Sequence, residues 1–330
     1  LTGATEELRA RVVVLAAGAW TDEMVRRFEV PLKRELLRRT KGVHLVIPHE
    51  RLPLGRAITL LSPVDGRVMF AIPWRGRTVL GTTDTDFEGT ADEVHADAAD
   101  AAYLCNSING YFPQCELTPA DVIATWAGLR PLIRGDEDED ESAVSREHDI
   151  FTRDDGLVII AGGKLTTYRR MAKEAVRKTL KWLREHDSEF DADGRERSGT
   201  KHRPLPGADG LDEPSLEGVA RIGRALIDEH GIDGETATHL CGVYGVRARL
   251  LGEAIAADRT LSERLNPELP YVWAEVDFAA RHDQARTVDD VLARRVPLLL
   301  VGRDQGLDVA ERVAARLAAI LGWGPDQIAS

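Results

Sequence analysis

The first apolar run of the chain is unbroken and rich in β-branched residues. Residues 12–15 read Val-Val-Val-Leu and lead through two alanines to Gly18. Unbroken runs of this kind are typical of a parallel strand that is buried on both faces. Thr21 follows as a candidate N-cap, with Asp22 and Glu23 in the turn where helices favour acidic side chains. The pattern predicts a buried strand, a glycine turn and a helix.

The spacing then changes to short apolar runs between turn signals. Within residues 40–86, strand-like runs are separated at Pro48, Asp65-Gly66 and Arg75-Gly76. This alternation predicts an antiparallel meander. A helix is expected at residues 91–111. Residues 125–132 and 145–152 bracket a dense acidic run at 136–141, which predicts a solvated loop rather than a cation site.

A second strand, glycine turn and helix is predicted over residues 157–186. An apolar run ends at Gly162 and Gly163, and a helical pattern begins after Lys164. Glycines let a ligand approach the backbone closely, and the first N–H groups of a helix attract anions or an electron-rich ring. A buried Lys164 would bind a phosphate or a developing negative charge.

Two other structures have a similar pattern of glycines and lysine. An ordinary βα turn without a ligand is one, with Thr166 and Thr167 as candidate caps. A nucleotide-binding P-loop is excluded, because Val158 and Leu165 occupy positions where that motif requires Gly and Ser or Thr.

The chain is predicted to contain two domains and a linker. Residues 188–214 are polar, with little apolar patterning, which is typical of a linker. Residues 216–321 have apolar positions at three- and four-residue spacing, which predicts a helical bundle. The predicted boundaries are 1–187, 188–214 and 215–330.

Composition narrows the function classes. A net charge of -12 argues against general nucleic-acid binding, which needs a basic face. No apolar run approaches the ~20 residues that span a bilayer. Cys105, Cys115 and Cys241 lack C-x-x-C spacing, so we expect neither a disulfide framework nor a metal site, and a reducing, cytoplasmic setting.

Several segments together resemble the FAD-dependent glycerol-3-phosphate dehydrogenases, which pass electrons to quinone. In chain order they are AAGAW (16–20), TKGVH (40–44), GTTD (81–84), GLRPL (128–132), SR (145–146) and GGKLTTYR (162–169), with further similarity near residues 244–245 and 274–276. The resemblance implies an α/β (α+β) fold. It would comprise the remainder of a Rossmann-type FAD domain with an antiparallel-sheet substrate domain, followed by a C-terminal helical domain.

The family's opening segment is missing from the printed sequence. That segment is a strand, a G-x-G-x-x-G turn and a helix that hold the FAD pyrophosphate. The family's early substrate-contacting arginine is missing as well. We therefore expect the sequence to be an incomplete reading of a longer protein, or its missing part to be supplied separately. We also expect the isolated chain to bind FAD poorly.

The resemblance implies oxidation of sn-glycerol 3-phosphate to dihydroxyacetone phosphate, with hydride transfer to FAD. Arg130, Arg146 and Lys164 are then expected to bind substrate, with Arg130 and Lys164 converging on its phosphate against the flavin. His44 would accept the hydroxyl proton or only orient the substrate. The segment at 81–84 is expected to be a structural turn, with Asp84 capping it or pairing with an arginine.

The resemblance also assigns the cofactor contacts. The residues expected beside FAD are Gly18, Trp20, Gly162, Gly163, Leu165 and Thr166. Backbone N–H groups at the helix that begins at Leu165 would stabilise the reduced flavin. For Trp20, packing in the core is an equally good interpretation.

Partners and alternatives complete the expectations. Quinone is expected as the electron acceptor, with peripheral contact to the inner face of the cell membrane, a homodimer and no nucleic acid. One alternative is another FAD-dependent amine or hydroxy-acid oxidase. The other is a non-catalytic fragment that cannot hold FAD alone.

Overall fold

The computed structural model describes residues 5–30, 34–134, 148–191, 198–211 and 215–324. The chain divides into two compact units, each assembled from separate stretches of sequence. The first comprises Leu1–Val43, Thr82–Asp97 and Ala127–His202, and the second comprises His44–Gly81, Ala98–Trp126 and Arg203–Ser330.

The first unit contains a three-stranded sheet. Its strands are β1 (Val13–Leu15), β8 (His148–Thr152) and β9 (Leu157–Gly162), in the order β1-β9-β8. β1 is parallel to β9, as predicted, and β8 is antiparallel to it. Helix α1 (Thr21–Arg27) packs on one face through Val25, and α3 (Tyr168–His186) packs on the other through Ala175.

Two predictions for the start of this unit are wrong. Val13 and Val14 are each 46% exposed, not buried, because β1 is an outer strand among the described strands of its sheet. Thr21 is the first residue of α1 and not its N-cap, and its hydroxyl donates to the carbonyl of Gly18 at 2.8 Å. Asp22 lies in the first turn as predicted and accepts hydrogen bonds from the backbone N–H groups of residues 36 and 37.

The first unit also holds parts of two long strands. These are the first half of β2 (Leu37–Pro48) and the second half of β7 (Ala124–Ile133). The short strand β6 (Thr85–Asp86) pairs with β2 in an antiparallel register that places Thr40 opposite Asp86. This local pairing brings the residues just before β6 close to β2.

In the second unit, an antiparallel meander forms as predicted. It consists of β3 (Ile58–Leu61), β4 (Val68–Trp74) and β5 (Arg77–Gly81), and β5 pairs with residues 44–48 of β2. The alanine-rich helix α2 is shorter than predicted, spanning Ala98–Asn109, and the hydroxyls of Ser62 and Ser107 lie 3.0 Å apart.

The rest of the second unit is helical, as the spacing predicted. Its helices are α4 (Leu216–His230), α5 (Gly234–Tyr244), α6 (Ala248–Ala257), α7 (Trp273–His282), α8 (Leu298–Val301) and α9 (Leu307–Leu321). Caps define their ends: Ser215 accepts from the N–H of Gly218, and Gly231 ends α4 with a left-handed φ of 64°. The helices enclose one core that includes Leu226, Leu240 and Leu251.

A buried arginine joins the meander to these helices. Arg77 on β5 is 5% exposed, and its Nε donates to the carbonyl of Val301 at 2.8 Å. Its Nη2 donates to the carboxylate of Glu268 at 2.9 Å. The hydrogen bond from Arg77 holds the pKa of Glu268 below its usual value. Trp74 at the end of β4 packs against the helical core as well.

Candidate active site

His44 lies in the middle of β2. It pairs in register with Gly81 of β5, and its imidazole occupies the space above that glycine. A Cβ at Gly81 would lie 2.7 Å from Nε2 of His44, which is too close for any side chain. On the other side, Trp126 stacks on the imidazole, with ring centroids 5.1 Å apart. The ring is therefore held between an indole and a bare stretch of backbone.

Arg130 lies in β7, and oxygen atoms from two segments accept hydrogen bonds from its guanidinium. Nη1 donates to Oδ1 of Asp84 at 3.0 Å and to the carbonyl of Lys41 at 3.5 Å. Nη2 donates to Oγ1 of Thr82 at 2.9 Å and to the carbonyl of Thr83 at 3.0 Å. The expected pairing of Asp84 with a nearby arginine is confirmed.

Gly42 forms the floor beneath this guanidinium. A Cβ at Gly42 would lie 2.6 Å from Nη2 and 2.8 Å from Cζ of Arg130. Thr83 is tied to the same strand, because the N–H of Val43 donates to its Oγ1 at 3.0 Å. We call Gly42, Thr82, Thr83 and Asp84 the Arg130 seat. Sequence reasoning missed this seat, although the Thr-Thr-Asp run beside a glycine-containing strand was its visible signal.

Lys164 is exposed, so the expectation of a buried lysine is wrong. It occupies the N-cap position of a short 3-10 turn, Leu165–Thr167, that leads directly into α3. Thr167 precedes α3, but its hydroxyl donates to the carbonyl of Lys164 at 2.9 Å and does not cap the helix. The long cationic side chain of Lys164 therefore stands at the helix start in contact with solvent.

The two glycines before Lys164 have the conformation that the turn requires. Gly162 and Gly163 have φ values of 71° and 88°, which L-residues rarely adopt. Gly163 is also closely packed, since a Cβ there would lie 2.6 Å from Sδ of Met171 and 3.1 Å from Cβ of His148. Substitution at Gly163 would thus be strained both by its backbone and by its neighbours.

An ion-pair network fixes β8 to α3 beside this turn. Nε2 of His148 lies 2.7 Å from Oε2 of Glu174, and Arg170 donates to Oε1 of the same carboxylate at 2.9 Å. Arg170 and then His148 hold the pKa of Glu174 below its usual value. This network was not visible in the sequence, because His148 and Glu174 are 26 residues apart.

The backbone from Gly162 to Thr166 is open to a ligand. Within the described residues, no side chain caps the helical turn at Leu165–Thr167, so its first N–H groups can donate to a ligand. Leu165 is 87% exposed, which leaves the approach to this backbone open. The donors and the bare glycines suit an acceptor-rich planar ring. Among the described residues, no cluster of His, Cys, Asp or Glu is arranged to hold a metal ion.

Gly18 and Trp20 stand at the other predicted cofactor contact. Gly18 has a φ of 56°, and nothing lies within 4 Å of the Cβ position it would have. Trp20 is 43% exposed, so the interpretation of Trp20 as a core residue is wrong. Its Nε1 donates to Oδ1 of Asp92 at 3.0 Å, which fixes the indole at the surface of the first unit.

The remaining predicted site residues divide into two groups. Arg146 and the acidic loop at 136–141 lie outside the described residues. Arg130 and Lys164 belong to the first unit, whereas His44 belongs to the second. The convergence of Arg130 and Lys164 on one phosphate, with His44 at the reacting carbon, stays a prediction.

Comparison with known protein families shows which family the chain belongs to. A family model described as FAD dependent oxidoreductase matches residues 1–177, and one described as the C-terminal domain of alpha-glycerophosphate oxidase matches residues 198–328. The chain belongs to the FAD-dependent oxidoreductase family. The suspected relationship to the FAD-dependent glycerol-3-phosphate dehydrogenases is confirmed, and so is the predicted fold class. The predicted boundaries at 187 and 215 stay a prediction.

Individual relatives match nearly the whole length of this chain. Aerobic glycerol-3-phosphate dehydrogenase from Staphylococcus saprophyticus is 33% identical over 98% of the chain, and glycerol-3-phosphate dehydrogenase 2 from Mycobacterium tuberculosis is 35% identical over 97%. The chain spans 56% and 52% of these two relatives. The crystal structure of the Bacillus halodurans glycerol-3-phosphate dehydrogenase complexed with FAD matches 96% of the chain and 60% of its own, with 30% identity and a TM-score of 0.78.

Proposed function

We propose that this oxidoreductase takes part in the oxidation of sn-glycerol 3-phosphate to dihydroxyacetone phosphate, with FAD as cofactor. The observation that carries the proposal is the structural similarity, over 96% of the chain, to an FAD-complexed glycerol-3-phosphate dehydrogenase. The curated relatives with the same name support it. Bound FAD would supply the hydride acceptor for C2 of the substrate. The chain's own residues would bind the phosphate, handle the proton and hold the ring.

Arg130 and Lys164 are the proposed phosphate ligands. A guanidinium donates two parallel hydrogen bonds to an oxyanion, and an ammonium supplies a mobile point charge. Because Asp84 already balances part of the charge of Arg130, a doubly charged phosphate requires the second cation of Lys164. Arg146 is proposed as a further ligand on the basis of the family resemblance alone.

His44 is the proposed acceptor of the hydroxyl proton. A histidine changes its charge near neutral pH, and general-base work needs a ring held in one orientation. The stacking on Trp126 and the space above Gly81 supply that orientation. If His44 only orients the substrate, the same packing would still be needed, but the pH dependence would belong to another group.

Gly162, Gly163, Leu165 and Thr166 are the proposed holders of the flavin ring. The first N–H groups of the helical turn would donate to the ring edge that gains negative charge on reduction. Gly18 and Trp20, which follow the end of β1, are also proposed to contact the cofactor. These residues serve the ring of FAD, and the sequence contains no G-x-G-x-x-G turn for its pyrophosphate.

The proposal extends to the electron acceptor and the location. A quinone would reoxidise the flavin, which requires contact with the inner face of the cell membrane from the cytoplasm. Among the described helices, none has the length and apolar character needed to cross a bilayer. Peripheral membrane contact and a homodimer are proposed on the basis of the family resemblance alone.

Calorimetric titration of the chain, with FAD in excess, tests the proposed substrate. Glycerol 3-phosphate is expected to bind at least ~10-fold more tightly than glycerol or glycine, which corresponds to about 1.4 kcal/mol. Preference for glycine would favour an amine oxidase instead. If none of the ligands binds to a chain that unfolds cooperatively, the non-catalytic alternative is favoured.

A further inference from the structure

We infer that Gly42 and Thr82 are positioning residues that hold the guanidinium of Arg130 at one place in the first unit. The inference has two parts. The first part, that the Arg130 seat holds the side chain, rests only on the contacts of the described residues. The second part, that Arg130 then binds the phosphate of the substrate, rests on the proposed function. The sequence resemblance linked neither Gly42 nor Thr82 to Arg130.

The seat restrains a side chain that is otherwise very mobile. An arginine loses much of its rotamer entropy when it is fixed. Here four oxygens, from Lys41, Thr82, Thr83 and Asp84, accept hydrogen bonds from its two terminal nitrogens before any ligand arrives. An anion that meets a fixed guanidinium does not have to order it, so its binding free energy is correspondingly more favourable.

Gly42 is the residue that makes room for the guanidinium. The planar group lies against the backbone of β2, where a Cβ would approach Nη2 to 2.6 Å and Nη1 to 2.9 Å. The guanidinium is the movable end of a long side chain, whereas β2 is fixed by its neighbours. An alanine at position 42 would therefore displace the guanidinium and leave the strand in place.

The acceptors are themselves anchored to the strand beneath. Oγ1 of Thr83 accepts the N–H of Val43, which ties the segment before β6 to β2. Oγ1 of Thr82 also donates to the carbonyl of Thr83 at 3.0 Å, so its lone pairs face Nη2. The side chains of Arg130 and Asp84 are 29% and 35% exposed, and ion pairs open to solvent contribute little to stability. The seat thus serves position more than stability.

Charge-neutral substitutions separate position from electrostatics. Removing the carboxylate of Asp84 would loosen Arg130 but also strengthen the attraction of any anion, so its net effect has no clear sign. Gly42→Ala and Thr82→Val change no charge. Gly128→Ala on β7 is the matched control for the first, because nothing lies within 4 Å of a Cβ there. Thr85→Val, at an exposed position of β6, is the control for the second.

The test combines calorimetry with NMR on the 330-residue chain. Gly42→Ala and Thr82→Val are each expected to weaken glycerol 3-phosphate binding about 10-fold, whereas both controls stay within about twofold of wild type. Thermal unfolding should show that Gly42→Ala and Gly128→Ala melt within a few degrees of each other. Independently of any ligand, the guanidinium nitrogens of Arg130 should exchange slowly in wild type and fast in the two seat variants.

The outcomes distinguish the two levels of the inference. If wild type does not bind glycerol 3-phosphate while its Arg130 signals show an ordered guanidinium, the proposed function fails and the seat stands. If wild type binds and the seat variants bind equally well, the inference that Gly42 and Thr82 position Arg130 for the ligand is overturned. Equal exchange rates of the guanidinium nitrogens in wild type and both seat variants would overturn the seat itself.

Discussion

The imidazole of His44 lies over Gly81 on the neighbouring strand, in a space that any side chain at position 81 would occupy. Two strands of an antiparallel sheet normally place opposing side chains in contact. Here one partner has no side chain, and the imidazole leans across the gap. A glycine in a strand usually marks a close approach of another group, and in this sheet that group is the proposed proton acceptor.

Gly81→Ala is expected to displace His44 and to slow reduction of FAD by glycerol 3-phosphate by about 10²-fold, the lower end of the usual contribution of a general base. The pH profile of the rate should change with it. Reduction of FAD is measured anaerobically by absorbance, with FAD in excess. Gly128→Ala, which meets no neighbouring atom, is the control. An unchanged rate and pH profile in Gly81→Ala would exclude His44 as the base.

Lys164 is expected to attract the substrate rather than to stabilise the fold, because its side chain is exposed at a helix start. Lys164→Gln should weaken glycerol 3-phosphate binding about 5-fold at low salt, with a smaller effect at high salt, since salt screens exposed charges. The unfolding temperature should not change. Calorimetry at two ionic strengths measures the effect, and Lys173→Gln, at an exposed position of α3, is the control. An equal loss of substrate affinity in both variants would show that Lys164 acts only through the net charge of the protein.

Gly163 is expected to be less tolerant of alanine than another glycine with the same backbone conformation. Gly163 and Gly66 have φ values of 88° and 75°, so alanine is strained at both. Only at Gly163 would the new Cβ overlap neighbours, Met171 and His148. Gly163→Ala should therefore lower the free energy of unfolding by about 1–2 kcal/mol more than Gly66→Ala. Chemical denaturation measures this difference, and equal losses would show that Met171 moves aside freely.

The pair of Arg77 and Glu268 is expected to make stability depend on pH. The pKa of Glu268 is lowered in the folded state, mainly by the hydrogen bond from Arg77. Its contribution is therefore present above the unfolded pKa of about 4.3 and is lost as the pH falls through the lower, folded value. Glu268→Gln should cost about 1 kcal/mol at pH 7, a modest figure because the carboxylate is half exposed.

Urea unfolding at pH 7 and near pH 3 tests this dependence. The difference between wild type and Glu268→Gln should shrink at the acidic pH, because protonation of Glu268 removes the charge that Arg77 stabilises. Glu235→Gln, which removes an exposed carboxylate paired with Arg264, is a suitable control. A difference that stays constant with pH would show that the hydrogen-bond geometry matters and the charge of Glu268 does not.

Much of the fold could be predicted from local patterns. Turn signals at residues 65–66 and 75–76 defined the meander, because hairpins need only neighbouring residues. Apolar spacing defined the helical part from residue 216 onward. Helix caps were less predictable. Thr21 and Thr167 donate their hydroxyls to preceding carbonyls instead of capping a helix, because the local backbone geometry, and not the residue type, determines the hydrogen-bond partner. The burial of β1 depended on neighbours far away in the sequence.

The candidate site was predictable as residue types but not as contacts. Arg130, His44 and Lys164 came from family segments, whereas their immediate partners came from the structure. Gly42 and Gly81 look like ordinary strand residues until the side chains lying over them are seen. The hydrogen-bond partners of Arg130 are 46–89 residues away along the chain, a separation that no periodic pattern records.

The central claim is that these residues serve hydride transfer from C2 of glycerol 3-phosphate to FAD. The most direct test is anaerobic reduction of FAD by glycerol 3-phosphate carrying either hydrogen or deuterium at C2, with FAD in excess because the chain alone is expected to bind it weakly. We predict that the flavin band bleaches, that deuterium at C2 slows the bleaching, and that glycerol does not replace the phosphate ester. Bleaching that is absent, or equally fast with both isotopes and with glycerol, would contradict the account.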